Sequence, residues 1–384
     1  MDIGSLPATG TPTQGRPDGC DRVALVLQGG GALGAYQAGV YQALHEARLE
    51  PDWVAGVSIG GINGAIIAGN PPERRLAHLQ EFWNLVSSRR VWLFPPDGDA
   101  AHKAHNMLAS WYAMALGQPG FFAPRKVNPW FAPRGSSGAT SFYETAPLRE
   151  TLLKLVDFDL LSRGTTRYAC GAVSVGTGNF VYFDNTETAM LPEHVMASGA
   201  LPPALPMVRI GTDWYWDGGI VSNTPLQHLI DHVGNQSALV FQVDLFSARG
   251  PIPRDMSDVA AREKDIRFSS RTRLTTDRYT QLCTVERHLR ALLDRLPENE
   301  LTAEERELKR RLRHLPRLSI LQMVYAQKVY EGEAKDYDFS TASMHAHWDA
   351  GYRDTVRTLR HRDWLALPAE EGGIAVHDIH RVND

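Results

Sequence analysis

The sequence predicts an α/β protein with a mostly parallel sheet covered by helices on both faces, and three observations predict it. From Arg22 to about Gly69, strand-like and helix-like segments alternate, each pair joined by a tight small-residue turn. Such β-α-β-α alternation argues for parallel pairing with crossover helices. Further short apolar runs, at residues 168–175, 180–183, 238–245 and 318–325, recur between helical patterns and read as additional strands. Finally, a 384-residue chain with 43% hydrophobic and 22% charged residues can bury a large core or a domain plus an appendage.

Residues 1–21 are rich in Gly, Pro and Thr and read as a flexible tail. Residues 22–249 read as the main α/β domain. Within it the order is a strand at 23–27, a glycine turn, a helix at 35–47, a strand at 53–55, a serine turn and a helix at 59–68. Residues 71–146 break that rhythm. Phe82, Trp83, Trp92, Phe94, Trp111, Phe121, Phe122, Trp130 and Phe131 are interleaved there with Pro and Gly breakers. They suit an insertion over the active-site face, a lid or acyl pocket, and equally suit plain core filling. A helix at 147–156 follows. A Pro-rich loop at 198–206 then leads to Trp214, Tyr215 and Trp216 ahead of Asp217. Residues 250–384 are expected to form a mainly helical extension. Its stretch 254–317 is dense in Arg and Glu, with Leu282, Val285, Leu289, Leu292 and Leu296 at helical spacing, and a strand at 318–325 and a helix at 348–359 follow.

Bulk properties exclude several classes. A net charge of −4 gives no field for nucleic acid, so no nucleic-acid partner is expected. Cys20, Cys170 and Cys283 lack both disulfide and zinc spacing. His102 and His105 could ligate a metal, but no third ligand stands at a recognisable spacing, so neither metal nor cofactor is expected. No secretory signal is visible near the start, and the longest apolar stretch, residues 54–69, is interrupted by five glycines and Asn63. A soluble cytoplasmic protein is expected, with peripheral contact at membranes left open along with the oligomeric state.

The chemistry lies in two turns. Gly56-Val57-Ser58-Ile59-Gly60 places a serine between a strand and a helix, where flanking Gly56 and Gly60 allow the close approach that a nucleophile elbow needs. Upstream, Gly29-Gly30-Gly31-Ala32-Leu33-Gly34 offers bare backbone N–H groups at a helix start, suited to an oxyanion. Gly29, Gly31 and Gly34 also fit G-x-G-x-x-G. For a dinucleotide site, however, the acidic Glu50 and Asp52 precede the second strand rather than ending it. The serine's base is commonly a histidine. Of 14 histidines, none after Ser58 sits in a sharp motif. His228 and His232 read as residues of a surface helix, and His345 and His347 as part of a charged loop. Asp217-Gly218-Gly219 is a compact acidic turn able to accept the serine proton directly, and it can also be read as a simple Asp-Gly hairpin.

Taken together, these blocks resemble the patatin-like phospholipase family over residues 22–245, with Asn223, Pro225, residues 198–206 and residues 142–148 in support. The resemblance implies a three-layer α/β/α fold with a C-terminal extension seen in a bacterial subgroup. It also implies a Ser58–Asp217 catalytic dyad without histidine, and an oxyanion hole drawn from Gly29, Gly30, Gly31 and Gly34. The implied activity is hydrolysis of an acyl ester, usually of a lipid, through an acyl-serine. Phospholipid, other lipid acyl esters and short or hydroxyacyl esters are all compatible substrates. One departure stands out. Leu33 occupies a position where many members carry a basic residue, which weakens the case for a phosphate-bearing head group. The basic side chains of the extension either face anionic lipid head groups or form a solvated ion-pair surface or oligomer contact.

Overall fold

A computed structural model describes residues 15–88, 99–164, 166–328 and 331–379; the side chains of 99–104 are not described. Trp92 and Phe94 of the expected insertion and the N-terminal tail up to residue 14 lie outside these, and so does the side chain of His102.

In chain order the elements are β1 (Arg22–Leu27), α1 (Ala35–Glu46), β2 (Trp53–Val57), α2 (Ile59–Ala68), α3 (Pro72–Val86), α4 (Asp99–Leu116), β3 (Ala123–Pro124), β4 (Tyr143–Glu144), α5 (Ala146–Leu155), α6 (Phe158–Ser162), β5 (Arg167–Ser174), β6 (Phe180–Asp184) and α7 (Pro192–Ser198). They continue with β7 (Val208–Ile210), β8 (Asp213–Asp217), α8 (Leu226–His232), β9 (Ala238–Asp244), α9 (Met256–Phe268), α10 (Thr272–Leu293), α11 (Ala303–Arg311), β10 (Leu318–Val324), α12 (Thr341–Leu359), α13 (Arg362–Leu365) and β11 (Ile374–Asp378).

Nine strands form one sheet in the order β11-β10-β9-β1-β2-β5-β8-β7, with β6 also on β5. From β11 across to β5 every pair is parallel; β6, β7 and β8 add the antiparallel edge. The central strands are apolar on both faces, as a parallel sheet covered twice requires. Along β1, Val23, Leu25 and Leu27 join one hydrophobic cluster while Ala24 and Val26 join another, the period-two split between the two faces. Tyr36, Leu44, Trp83 and Trp348 cover the first face; Leu226, Leu229, Tyr279 and Cys283 cover the second. This is the expected α/β/α sandwich with its mostly parallel sheet.

The structure adds detail at three places. The boundary near residue 249 does not divide the sheet, because β10 and β11 extend it beyond β9. In addition, α12 packs so closely on α1 that a Cβ on Gly39 would run into the Trp348 carbonyl, and one on Gly351 into the Tyr36 carbonyl. Next, the aromatics of 71–146 divide among three fates. Phe82 and Trp83 on α3 are core residues, Phe121 and Phe122 are buried beside the site, and Trp111, Trp130 and Phe131 are exposed. Lastly, α10 turns Leu282, Val285 and Leu292 outward and instead buries Tyr279, Cys283 and Leu293. Apolar spacing marks a stripe on a helix, but the facing element decides which stripe is covered.

Candidate active site

In the β1/β2 register Leu27 lies opposite Gly56. The turns after these strands therefore emerge side by side at the carboxyl end of the sheet, where open α/β sheets gather ligands. Ser58 takes φ 56° and ψ −125° immediately before α2. A residue with a Cβ holds such a left-handed conformation only where its surroundings enforce it. Here Ser198 fixes it, accepting the Ser58 N–H through its carbonyl oxygen (3.1 Å) and its Oγ (3.0 Å). The flanking glycines are required sterically. A Cβ on Gly56 would run into the Gly60 carbonyl, and one on Gly60 into the Leu27 carbonyl.

Asp217 ends β8, paired with Ala172 of β5, and is buried. Its Oδ1 accepts from the Gly219 N–H at 2.7 Å, and Ser58 lines the same cavity. Burial pushes its pKa up to about 7 against the opposing effect of the Ser58 hydroxyl and the Gly219 N–H. A Cβ on Gly218 would lie 2.6 Å from the Gly171 carbonyl oxygen, and one on Gly219 would lie 2.9 Å from Asn223 Oδ1. Both glycines thus let the acidic turn close against its neighbours.

The four glycines of the first turn do different things. The Gly29 N–H is spent on the Asn223 carbonyl at 3.2 Å, and a Cβ there would lie 2.9 Å from Ser58 Cβ. Gly34 is a packing glycine, where a Cβ would lie 2.5 Å from Ile59 Cγ1. Gly30 and Gly31 line the cavity and open a 3-10 turn in which Leu33 N donates back to Gly30 O at 3.1 Å. The first N–H groups of such a turn have no partner within it, so those of Gly30 and Gly31 are the ones available to a ligand.

Two buried amides hold the arrangement, and one of them, Gln28, carries no signal in the sequence. Gln28 Oε1 accepts from Leu245 N (2.6 Å) and Phe246 N (2.9 Å), while its Nε2 donates to Thr224 Oγ1 and to Phe268 O. Asn223 Nδ2 donates to Gly29 O and Phe268 O, both at 3.0 Å. Together they tie the ends of β1, β9 and α9 to the acidic turn.

Ser58 and Asp217 open into a cavity of about 280 Å³ with Phe121, Phe122, Leu201, Leu205, Phe246 and Phe339 among its walls. Lys264 and Arg267 of α9 and Asp336 also line it, with Lys264 Nζ 2.5 Å from Asp336 Oδ1.

Comparison with known proteins identifies the family. The patatin-like phospholipase family model matches residues 25–230, more than half of the chain. The chain belongs to the patatin-like phospholipase family. A second family model, described as patatin phospholipase, matches residues 266–371. A lysophospholipase of Aspergillus terreus is 54% identical over 50 residues, 13% of this chain and 3% of that protein. A putative patatin-like phospholipase domain-containing protein of Caenorhabditis elegans is 38% identical over 61 residues, 16% of this chain and 6% of that protein. The matches thus span only a small part of these relatives' lengths. The solved structure of VipD from Legionella pneumophila is similar with a TM-score of 0.40 and 15% identity, covering 88% of this chain and 67% of that one.

In this patatin-like family member the histidines weighed from sequence lie elsewhere. His228 is buried rather than on a surface helix face, its Nε2 3.1 Å from Asp184 Oδ2 and its ring stacked on Tyr182. His345 and His347 belong to α12 rather than to a loop, and His347 is buried with Nε2 3.0 Å from Glu331 Oε1. None of these lines the cavity. Leu33 is fully buried in the core, so a basic residue there would point away from the cavity in this backbone. The cations near the site come instead from α9, within the Arg/Glu-rich stretch. Among the described residues no three or more metal-ligating side chains cluster, and no helix is long and apolar enough to cross a membrane.

Proposed function

We propose that this chain is a serine acyl hydrolase that cleaves carboxylic esters of lipids through a Ser58–Asp217 dyad. The observation that carries this is the placement of Ser58, held at φ 56° on its elbow, in the same cavity as a buried carboxyl group whose pKa is raised to about 7. A base poised there is largely ionised just above neutral pH yet strong enough to take a proton from a hydroxyl under attack.

In this reading Asp217 accepts the Ser58 proton as Oγ attacks the ester carbonyl carbon. The carbonyl electron pair moves onto oxygen, where the N–H groups of Gly30 and Gly31 receive the charge, helped by the positive end of the helix that follows. Collapse expels the alcohol, which takes the proton from Asp217 and leaves an acyl-Ser58 ester. Water, deprotonated by Asp217, attacks that ester; the second collapse releases the carboxylic acid and returns the proton to Ser58. The apolar aromatic wall suits an acyl chain, and Lys264 and Arg267 give the same cavity a polar, cationic side for the alcohol portion. Phospholipid and lysophospholipid fit that division of walls better than a short uncharged ester does.

Fluorophosphonate labelling beside ester turnover tests the proposal. Wild type should label at Ser58. Ser58→Ala should lose both labelling and turnover by several orders of magnitude while staying folded. Labelling at another serine would overturn it.

A further inference from the structure

Helix α4 is amphipathic in the inverted sense. Toward the protein it presents Ala109, Ser110 and Ala113, all buried, with Ser110 Oγ donating to Ala334 O at 3.1 Å. Toward solvent it presents Met107 (65% exposed), Trp111 (67%), Tyr112 and Leu116. A water-facing helix surface usually carries its charges on that side. Here no Asp, Glu, Lys or Arg occurs from His105 to Pro124. The chain then enters the β3/β4 hairpin, whose flanking Phe121 and Phe122 and whose Tyr143 wall the cavity. Between the two strands it runs out into a loop whose tip is Trp130 (84% exposed) and Phe131 (83%). The hairpin is latched to α4 by the Tyr143 hydroxyl, which donates to the Met114 carbonyl at 2.6 Å. Both apolar surfaces therefore spring from the wall of the candidate active site.

Charge selects the occupant. From His105 to Tyr143 the chain has no acidic residue, while Arg125, Lys126 and Arg134 are cationic, and Lys126 and Arg134 are exposed. Exposed Trp and Phe with Arg125, Lys126 and Arg134 against the single hairpin carboxylate of Glu144 match the chemistry of an anionic lipid surface, where aromatic rings settle at head-group depth and cations meet a negative potential.

We propose that the outer face of α4 and the Trp130–Phe131 loop seat the protein on an anionic lipid surface, with the cavity mouth beside the seat. This rests on reading the cavity as a lipid-ester site, and it names the surface from which that site is fed.

The test is co-sedimentation of the full-length protein with phosphatidylcholine vesicles with and without phosphatidylserine. It is run beside turnover of a soluble short-chain p-nitrophenyl ester and light scattering without vesicles. Wild type should sediment with the phosphatidylserine vesicles. Trp130→Ala with Phe131→Ala, and separately Trp111→Ala with Met107→Ala, should each weaken binding about tenfold or more while soluble-ester turnover is unchanged. Lys126→Gln with Arg134→Gln should lose the preference for phosphatidylserine. The proposal is overturned if wild type stays in the supernatant, if it binds both vesicles alike, or if the aromatic variants sediment as wild type does. It is also overturned if wild type is a dimer that these variants convert to monomers with vesicle binding intact, because the face would then belong to a second copy. Vesicle binding by a wild type that turns over no ester would uphold the seat and refute the hydrolase reading instead.

Discussion

Replacing Asp217 by asparagine should remove activity and, above neutral pH, strengthen the fold. In the native protein burial raises the carboxyl pKa from 3.8 to about 7. Below the lower value both folded and unfolded chains hold the proton, and the group adds no pH dependence. Between the two values the native state keeps a proton that the unfolded state has released, so stability falls as pH rises through that window. A tenfold change in proton affinity corresponds to about 1.4 kcal/mol, which sets a ceiling of about 4 kcal/mol for the cost of the buried charge above pH 7. The asparagine would be neutral throughout and could still accept from Gly219, though its buried amide N–H groups would need a partner. That cost offsets part of the gain by about 1–3 kcal/mol. Denaturant unfolding at pH 4.5 and pH 8.5 measures the difference. The variant should gain on wild type by about 2–4 kcal/mol between the two, whatever their offset at the lower pH. Wild-type turnover should rise with pH and level off above about 7, while the variant stays inactive at both. A stability gap that does not change with pH would refute the argument, because the carboxyl would then titrate alike in native and unfolded chains.

Two further predictions follow from the same geometry. Gly31 has φ +53° and its Cβ position is taken by the Asp336 carbonyl. Gly31→Ala should therefore shift the turn and lower ester turnover about 10²–10³-fold with far-UV circular dichroism retained, as loss of an oxyanion donor does. By contrast, His228→Ala should leave turnover within about tenfold, well short of the loss that removing a general base causes. It should nonetheless cost about 2–4 kcal/mol in denaturant unfolding, because Asp184 loses a buried partner.

The parts of this molecule that are local in sequence are legible in it. The pattern places the helix after the serine turn at residues 59–68, and α2 spans Ile59–Ala68. The expected helix at 35–47 is Ala35–Glu46, and the expected strand at 238–245 is Ala238–Asp244. These signals come from glycine punctuation and apolar runs that need no distant partner. What stays hidden depends on pairs far apart in the chain. His228 looks like a surface residue in the sequence because Asp184 and Tyr182, which bury it, lie more than forty positions away. The strand at 318–325 is visible, but its place against β9 is not, since parallel pairing leaves no local mark. Leu33 shows the same limit. Its position in a glycine loop suggests a side chain facing substrate, whereas the 3-10 turn rotates it into the core. Likewise Lys264 is one of many charges on a polar helix until α9 brings it to the cavity.

The position of β9 governs how the chain can be assembled. It is held between β1, from the start of the chain, and β10, which begins at Leu318. During synthesis the serine turn and the acidic turn would both have left the ribosome while the far edge of β9 still lacked its neighbour and α1 still lacked the helix that crosses at Gly39. An open apolar edge of that kind invites pairing with another chain, and closing it must wait for a long loop to be threaded. The C-terminal segment therefore acts as a closing piece on an already written catalytic sequence, and a nascent chain stalled before residue 318 would be a natural client for chaperones.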